Sequence, residues 1–166
     1  MRILGIDPGT AIVGFGVIDV DGSRCIQKEY GCIRTSSQDP TPLRLRQIYE
    51  NMKELIDRCK PQCVAVEELF FNKNVKTALA VGQARGVIFL AAVEKGLPVF
   101  EYTPLQVKQA VVGYGRAEKD QIQEMVRVLL RLESRPSPDD AADALAVAIC
   151  HAHSRKLNDI FRQHGE

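Results

Sequence analysis

The chain has 166 residues, 45% of them hydrophobic and 26% charged, the proportions of a soluble globular protein. A single domain of this length buries about two-thirds of its unfolded surface. A formal net charge of +1 excludes bulk basicity as a means of holding nucleic acid, so any such face must be a local patch turned away from the acids.

The elements read as follows. Arg2 to Asp7 is a short apolar strand, and Pro8-Gly9-Thr10 turns the chain. Ile12 to Val20 is rich in β-branched residues, and Asp21-Gly22 signals a hairpin into Arg24 to Arg34, giving a three-stranded antiparallel meander. Residues 35–41 are polar and read as a loop. Pro42 to Lys60 is an amphipathic helix with Leu45, Ile48, Met52, Leu55, Ile56 and Cys59 on one stripe, opened by Pro42 and ended by Lys60-Pro61. Gln62 to Glu67 is short and continuously apolar, the pattern of a strand buried on both faces.

Lys73 to Lys95 reads as a long helix stopped by Gly96, and Val99 to Tyr102 as another strand. Helices follow from Pro104 to about Val112 and from about Glu118 to Leu132. Pro136-Ser137-Pro138 breaks the chain before a last helix from Asp139 to about His153, and the tail from Ser154 is polar and expected to fray. Strands first, then strands alternating with helices, make an α/β protein: a mixed five-stranded sheet flanked by helices. A right-handed crossover would lay Gln62–Glu67 parallel to Arg2–Asp7. Asp7 and Glu67 would then end neighbouring strands at their carboxyl ends, where open α/β sheets place ligands.

The N-terminus is a short apolar run broken by Asp-Pro-Gly, unlike a signal peptide, and the apolar run Val87 to Val93 is too short to span a membrane. Five cysteines form no CxxC pair, which fits a reduced cytosolic protein with mostly buried thiols. Cys150-His151-Ala152-His153 invites a zinc reading, but adjacent helical residues point about 100° apart.

Four carboxylates stand out. Asp7 and Glu67 close strands, while Asp140 and Asp143 sit three apart near the start of the last helix. Each has an ordinary explanation: Asp7 as a turn residue before Pro-Gly, Glu67 and Glu68 as the polar end of a strand. Ser137-Pro-Asp-Asp140 fits a capping box, with Asp139 and Asp140 favouring the helix dipole. Asp143 is harder to dismiss, because the residues around it, 141–149, are otherwise apolar and mark a buried helix. No Lys or Arg lies near it on that helix, and an unpaired buried charge is costly, so a metal ion is the natural counter-charge.

Two carboxylates about 4 Å apart repel by roughly 4 kcal/mol at an effective dielectric near 20, so several converging acids stay ionised only beside a cation. Oxygen-only ligands select magnesium or manganese over zinc. Two such ions can activate water and stabilise the leaving oxygen of a phosphodiester.

These residues resemble the RuvC family of Holliday-junction resolvases. The matching stretches are GIDPGT (5–10), GCIRT (31–35), AVEELFF (65–71), GQARGV (82–87), VFEY (99–102), QVKQAVVGYG (106–115), AEK (117–119) and DAADALAVAI (140–149). The resemblance implies a single RNase H-like nuclease domain over residues 1–153 followed by a polar tail, 154–166. It also implies a homodimer, Mg²⁺-dependent symmetric nicking of four-way DNA junctions, two Mg²⁺ per active site with Mn²⁺ able to substitute, and a bacterial cytoplasmic setting. Ends ready for ligation, a T-rich cutting preference and cooperation with the RuvA–RuvB branch-migration complex are implied in the same way.

Asp7, Glu67, Asp140 and Asp143 match the family's four catalytic, metal-holding acids, while Asp139 and Glu68 match none; Asp139 reads as a helix-start charge. Lys108 and Lys119 match family lysines close to the scissile phosphate, a role that suits a point charge. Phe70 matches an aromatic that stacks on junction bases, and Phe71 beside it is a further candidate. Lys73, Lys76, Arg85 and Arg116 are candidates for backbone contacts that position DNA without reading its sequence. Ala78, Gly82 and Gly86, spaced four apart, mark a stripe on the long helix that packs either on the sheet or against a two-fold mate. Two other classes remain: an actin-like ATPase, whose phosphate loops also open with Asp-x-Gly but whose fold normally duplicates this core, and a junction-binding protein without catalysis.

Overall fold

The computed structural model describes residues 1–68 and 75–163, with side chains described as far as Arg155. Ten elements follow one another: β1 (Arg2–Asp7), β2 (Ile12–Asp21), β3 (Arg24–Arg34), α1 (Thr41–Cys59), β4 (Cys63–Glu67), α2 (Val75–Glu94), β5 (Val99–Tyr102), α3 (Pro104–Val112), α4 (Lys119–Leu130) and α5 (Asp139–Gln163).

The strands form one mixed sheet in the order β3-β2-β1-β4-β5. β1, β2 and β3 pair antiparallel, and the crossover through α1 returns β4 parallel to β1, with Ile6 opposite Val66. β5 adds parallel to β4. A bulge that the alternation did not announce lies where Val17 pairs with Glu29 and Ile18 with Gln27, leaving Lys28 as the extra residue of β3.

Strand alternation sorts the side chains onto two faces. Leu4, Ile6, Val13, Phe15, Val17, Val64 and Val66 pack against Ile48, Met52, Leu55, Ile56 and Cys59 of α1 and Ala84, Ile88, Ala91 and Ala92 of α2. Ile3, Ile18, Cys63 and Ala65 face the other way, against Leu145, Ile149 and their neighbours on α5, with α3 and α4 beyond. Cys63 to Val66 are buried throughout, as a central strand covered on both sides must be. α1 ends in Lys60, which turns into the left-handed region (φ 49°) and donates its N–H to the Ile56 carbonyl ahead of Pro61.

Two expectations change. The helix of the last segment does not stop at His153 but runs on to Gln163. Residues 154–163 contain no Gly or Pro and include the helix formers Arg155, Lys156, Leu157 and Arg162, so nothing in the chain breaks it. The apolar run Val87–Val93 also understated α2, which among the described residues is long and apolar enough to cross a membrane. In the fold it instead lies against α1 and the sheet.

Candidate active site

Asp7 and Glu67 are the last residues of adjacent parallel strands, one step beyond the Ile6–Val66 pair. By strand alternation Asp7 follows Ile3 and Gly5, and Glu67 follows Cys63 and Ala65, so both carboxylates project toward α5. The loop after Asp7 is tied down by Thr35, whose hydroxyl donates to the Thr10 carbonyl (2.5 Å) and whose N–H donates to that of Ala11 (3.0 Å). Arg44 in turn donates to the Thr35 hydroxyl (2.9 Å).

The approach of α5 depends on glycine. A Cβ on Gly14, which pairs with Asp7 across β1 and β2, would run into the backbone carbonyl of Asp140. A Cβ on Gly5 would strike the Ala144 carbonyl. Bare backbone at these points lets α5 lie on the sheet and brings its first turn over the end of β1. This is a feature the sequence reading missed. Its signal was glycine inside strand patterns, which marks a close approach of backbone.

α5 starts one residue later than a Ser137 cap requires: the Pro138 carbonyl accepts from the N–H groups of Ala141 (3.0 Å) and Ala142 (3.2 Å). Asp143 is not sealed in the core, since its side chain is 30% exposed. Nor does it lack a cationic neighbour, because Lys119 of α4 brings Nζ to 3.5 Å from its Oδ2. The same ammonium lies 3.1 Å from Asp139. The counter-charge that α5 lacks thus arrives from another helix, which no pattern within α5 could show.

Burial, then the charges of Glu67, Asp143 and Asp140, pushes the Asp7 carboxyl from its ordinary 3.8 up to about 8. Burial, then Asp143, lifts Glu67 from 4.5 to about 7, against a hydrogen bond with Asp7 and the charges of Lys108 and Arg85. Asp143 is raised by burial, with Lys119 opposing. Among the described residues no three His, Cys, Asp or Glu side chains are gathered as tightly as ligands around one ion. Repulsion among these acids opposes such convergence, and a hard cation is what would draw them together.

Glu67, Lys108, Lys119 and Asp143 border one cleft of about 240 Å³, floored by Val107, Ile122 and Ala146. Both candidate lysines therefore stand beside the acids. Lys76 and Arg116 are exposed and are not among the residues that line the cleft, although Arg116 lies three positions before Lys119. Phe70, Phe71 and Lys73 lie outside the described residues.

Arg85 is engaged within the fold: one guanidinium nitrogen donates to the Glu67 carbonyl, another to Glu101, and its side chain is only 11% exposed. It braces the end of β4 from α2 and stacks on Phe89, with 5.1 Å to the ring centroid. Cys150, His151 and His153 go to separate surroundings. His151 meets the Tyr102 hydroxyl (2.7 Å), His153 meets the Ala110 carbonyl (3.0 Å), and the Cys150 thiol is buried.

A sheet of this order, with carboxylates ending β1 and β4 under the first turn of a packed helix, defines an RNase H-like protein of the nuclease type. The yeast mitochondrial Holliday junction resolvase shares this fold at 13% identity, with a TM-score of 0.68 over 98% of this chain and 83% of that one. The chain belongs to the RuvC family, "Crossover junction endodeoxyribonuclease RuvC", whose model matches residues 3–151. A crossover junction endodeoxyribonuclease RuvC of Brevibacillus brevis is 63% identical over 160 residues, covering 96% of each chain, and that of Desulfitobacterium hafniense is 61% identical over 157 residues, covering 95% of each. Thermus thermophilus RuvC in complex with Holliday junction substrate superposes with a TM-score of 0.91 at 40% identity, over 95% of this chain and 96% of that one. The family is in general one of metal-dependent nucleases.

Proposed function

We propose that this chain is a Holliday junction resolvase, an endodeoxyribonuclease that nicks opposed strands of a four-way DNA junction, and that Asp7, Glu67, Asp140 and Asp143 hold two Mg²⁺ ions for which Mn²⁺ can substitute. The observation that carries the site is the shared face: Asp7 and Glu67 project from paired strand ends toward α5, whose Asp140 backbone rests on Gly14. The donor set suits a hard cation, being all carboxylate oxygen. Without compensating positive charge, burial and mutual repulsion favour the protonated forms of Asp7 and Glu67 near neutrality. When bound, the ions would polarise the attacking water and offset charge on the leaving oxygen.

The rest falls to the chain's own groups. Lys108 and Lys119 border the cleft from α3 and α4, where their ammonium groups would meet the non-bridging oxygens of the scissile phosphate. Arg85 fixes the end of β4 through the Glu67 carbonyl and so holds the direction of that carboxylate. Lys73, Lys76 and Arg116 would steer the DNA backbone, and Phe70 and Phe71 would stack on its bases.

A two-fold dimer through α2 is part of the same proposal. Val75, Leu79, Leu90 and Val93 are exposed along α2, and a Cβ on Gly86 would meet open space. An exposed apolar stripe on an outer helix suits a two-fold mate, which would present two equal sites to two strands of like polarity. Leu79→Asp should turn a sedimenting dimer into a monomer; an unchanged sedimentation coefficient would remove α2 from the interface. Action in the bacterial cytoplasm beside the RuvA–RuvB complex belongs to the same reading.

The test of function is nicking of a mobile four-way junction mapped on all four strands, with Mg²⁺ and with EDTA. Symmetric nicks on two opposed strands are expected, lost with EDTA and reduced about 100-fold or more in Asp143→Asn. Binding without nicks would make this a junction-recognition protein, and equal cutting of linear duplex would mean a different substrate.

A further inference from the structure

Lys119 is held between two carboxylates of α5. Its Nζ lies 3.1 Å from Asp139 Oδ2 and 3.5 Å from Asp143 Oδ2. The other oxygen of Asp139, Oδ1, accepts from Nε2 of Gln123 at 2.9 Å. Gln123 is itself buried. The four residues form two matched pairs, Lys119 with Gln123 one turn apart on α4 and Asp139 with Asp143 one turn apart on α5. Asp139 is therefore engaged at both oxygens, unlike an ordinary surface acid. These bonds to Lys119 and then Gln123 hold its carboxyl below the usual range.

Asp143 is wanted twice, by Lys119 and by a cation in the cleft. Two positive charges at one carboxylate repel each other, and the ammonium has a second place to go only because Asp139 stands beside it. We propose that Asp139 is a positioning residue: it anchors the Lys119 ammonium at the rim of the cleft, facing the scissile phosphate, and leaves Asp143 to the metal ion. The proposal rests on the reading of Asp143 as a metal ligand and Lys119 as a phosphate contact. It gives Asp139 a role that a helix-start charge does not have, and it makes Gln123 the group that aims Asp139.

The test is a calorimetric Mn²⁺ titration of the DNA-free protein, paired with single-turnover nicking of a four-way junction. Both are made on wild type, Asp139→Ala, Lys119→Met and the double variant. The Asp139 side chain is 63% exposed, so its removal leaves the packing intact. Exposed ion pairs are weak, so Asp139→Ala should weaken Mn²⁺ binding roughly two- to fivefold and slow nicking by a similar factor. In the Lys119→Met background, removing Asp139 should change neither, because nothing is left to position. Asp139→Glu should recover part of the loss.

A loss of equal size with and without Lys119 would mean that Asp139 acts only through its charge, and the positioning role would fall. So would a variant indistinguishable from wild type in both measurements. A wild type that binds no Mn²⁺ would overturn the metal-site reading and this proposal with it; intact Mn²⁺ binding with no coupling overturns the proposal alone.

Discussion

The two faces of the sheet come from the same strands and are built to opposite rules. Toward α1 and α2, β1 contributes Leu4 and Ile6, β2 contributes Val13, Phe15 and Val17, and β4 contributes Val64 and Val66, all buried among apolar side chains. Toward α5 the same strands contribute Gly5 and Asp7, Gly14 and Gly16, Ala65 and Glu67. Bulk on the first face holds its helices off at side-chain distance and fills the gap. Small residues on the second let a helix backbone touch the strands, and two carboxylates finish the strands where that helix begins. Chemistry is thus confined to one strand parity, while apolar packing supports both faces.

The largest expected effects would break this comparison directly. Gly14→Val places a branched side chain against the Asp140 backbone and should push the first turn of α5 off the sheet. A displacement of about 1 Å at a reacting centre costs about 100-fold, so nicking should fall by that order while circular dichroism stays native. Leu4→Ala, on the opposite face and fully buried, should do the reverse. It should lose about 2–5 kcal/mol in urea unfolding yet keep its nicking rate at temperatures where it is folded. If Leu4→Ala lost activity at full folding, or Gly14→Val kept it, the division of labour between the faces would be wrong.

A smaller effect sharpens the comparison through pH. Asp7 is raised from 3.8 to about 8 and Glu67 from 4.5 to about 7, so folding favours their protonated forms. Their contribution to stability is present in full below about pH 4 and is lost as pH rises through about 7 to 8. In EDTA the calorimetric midpoint should therefore decline between about pH 4 and pH 8 and level off above that, and Mg²⁺ should restore it. Asp7→Asn should flatten the decline. A midpoint equally flat in wild type and variant would show that these acids are better solvated than their surroundings imply.

Much of this was legible along the chain because it is local. The 2-residue and 3.6-residue periods, Asp21-Gly22, Lys60-Pro61 and Gly96 placed the elements to within a few residues, except for the end of the last helix. The crossover rule placed β4 beside β1. The polar tail misled, since polarity was read as fraying where nothing in residues 154–163 stops a helix. Arg85 reads along the chain as a candidate DNA-backbone contact, and only the fold brings it to the Glu67 carbonyl 18 positions earlier.

What the sequence determined by itself was the list of acids, the strands that end in them and the helix that begins beside them, because each is written in a run of neighbouring residues. Tertiary structure alone decided that Gly14 lies under Asp140, that Arg85 braces β4, and that Lys119 answers both Asp139 and Asp143. These contacts join residues 18 to 126 positions apart, and a pairing between distant segments leaves no period in either of them. It exists only once burial of the two apolar faces has brought the segments together.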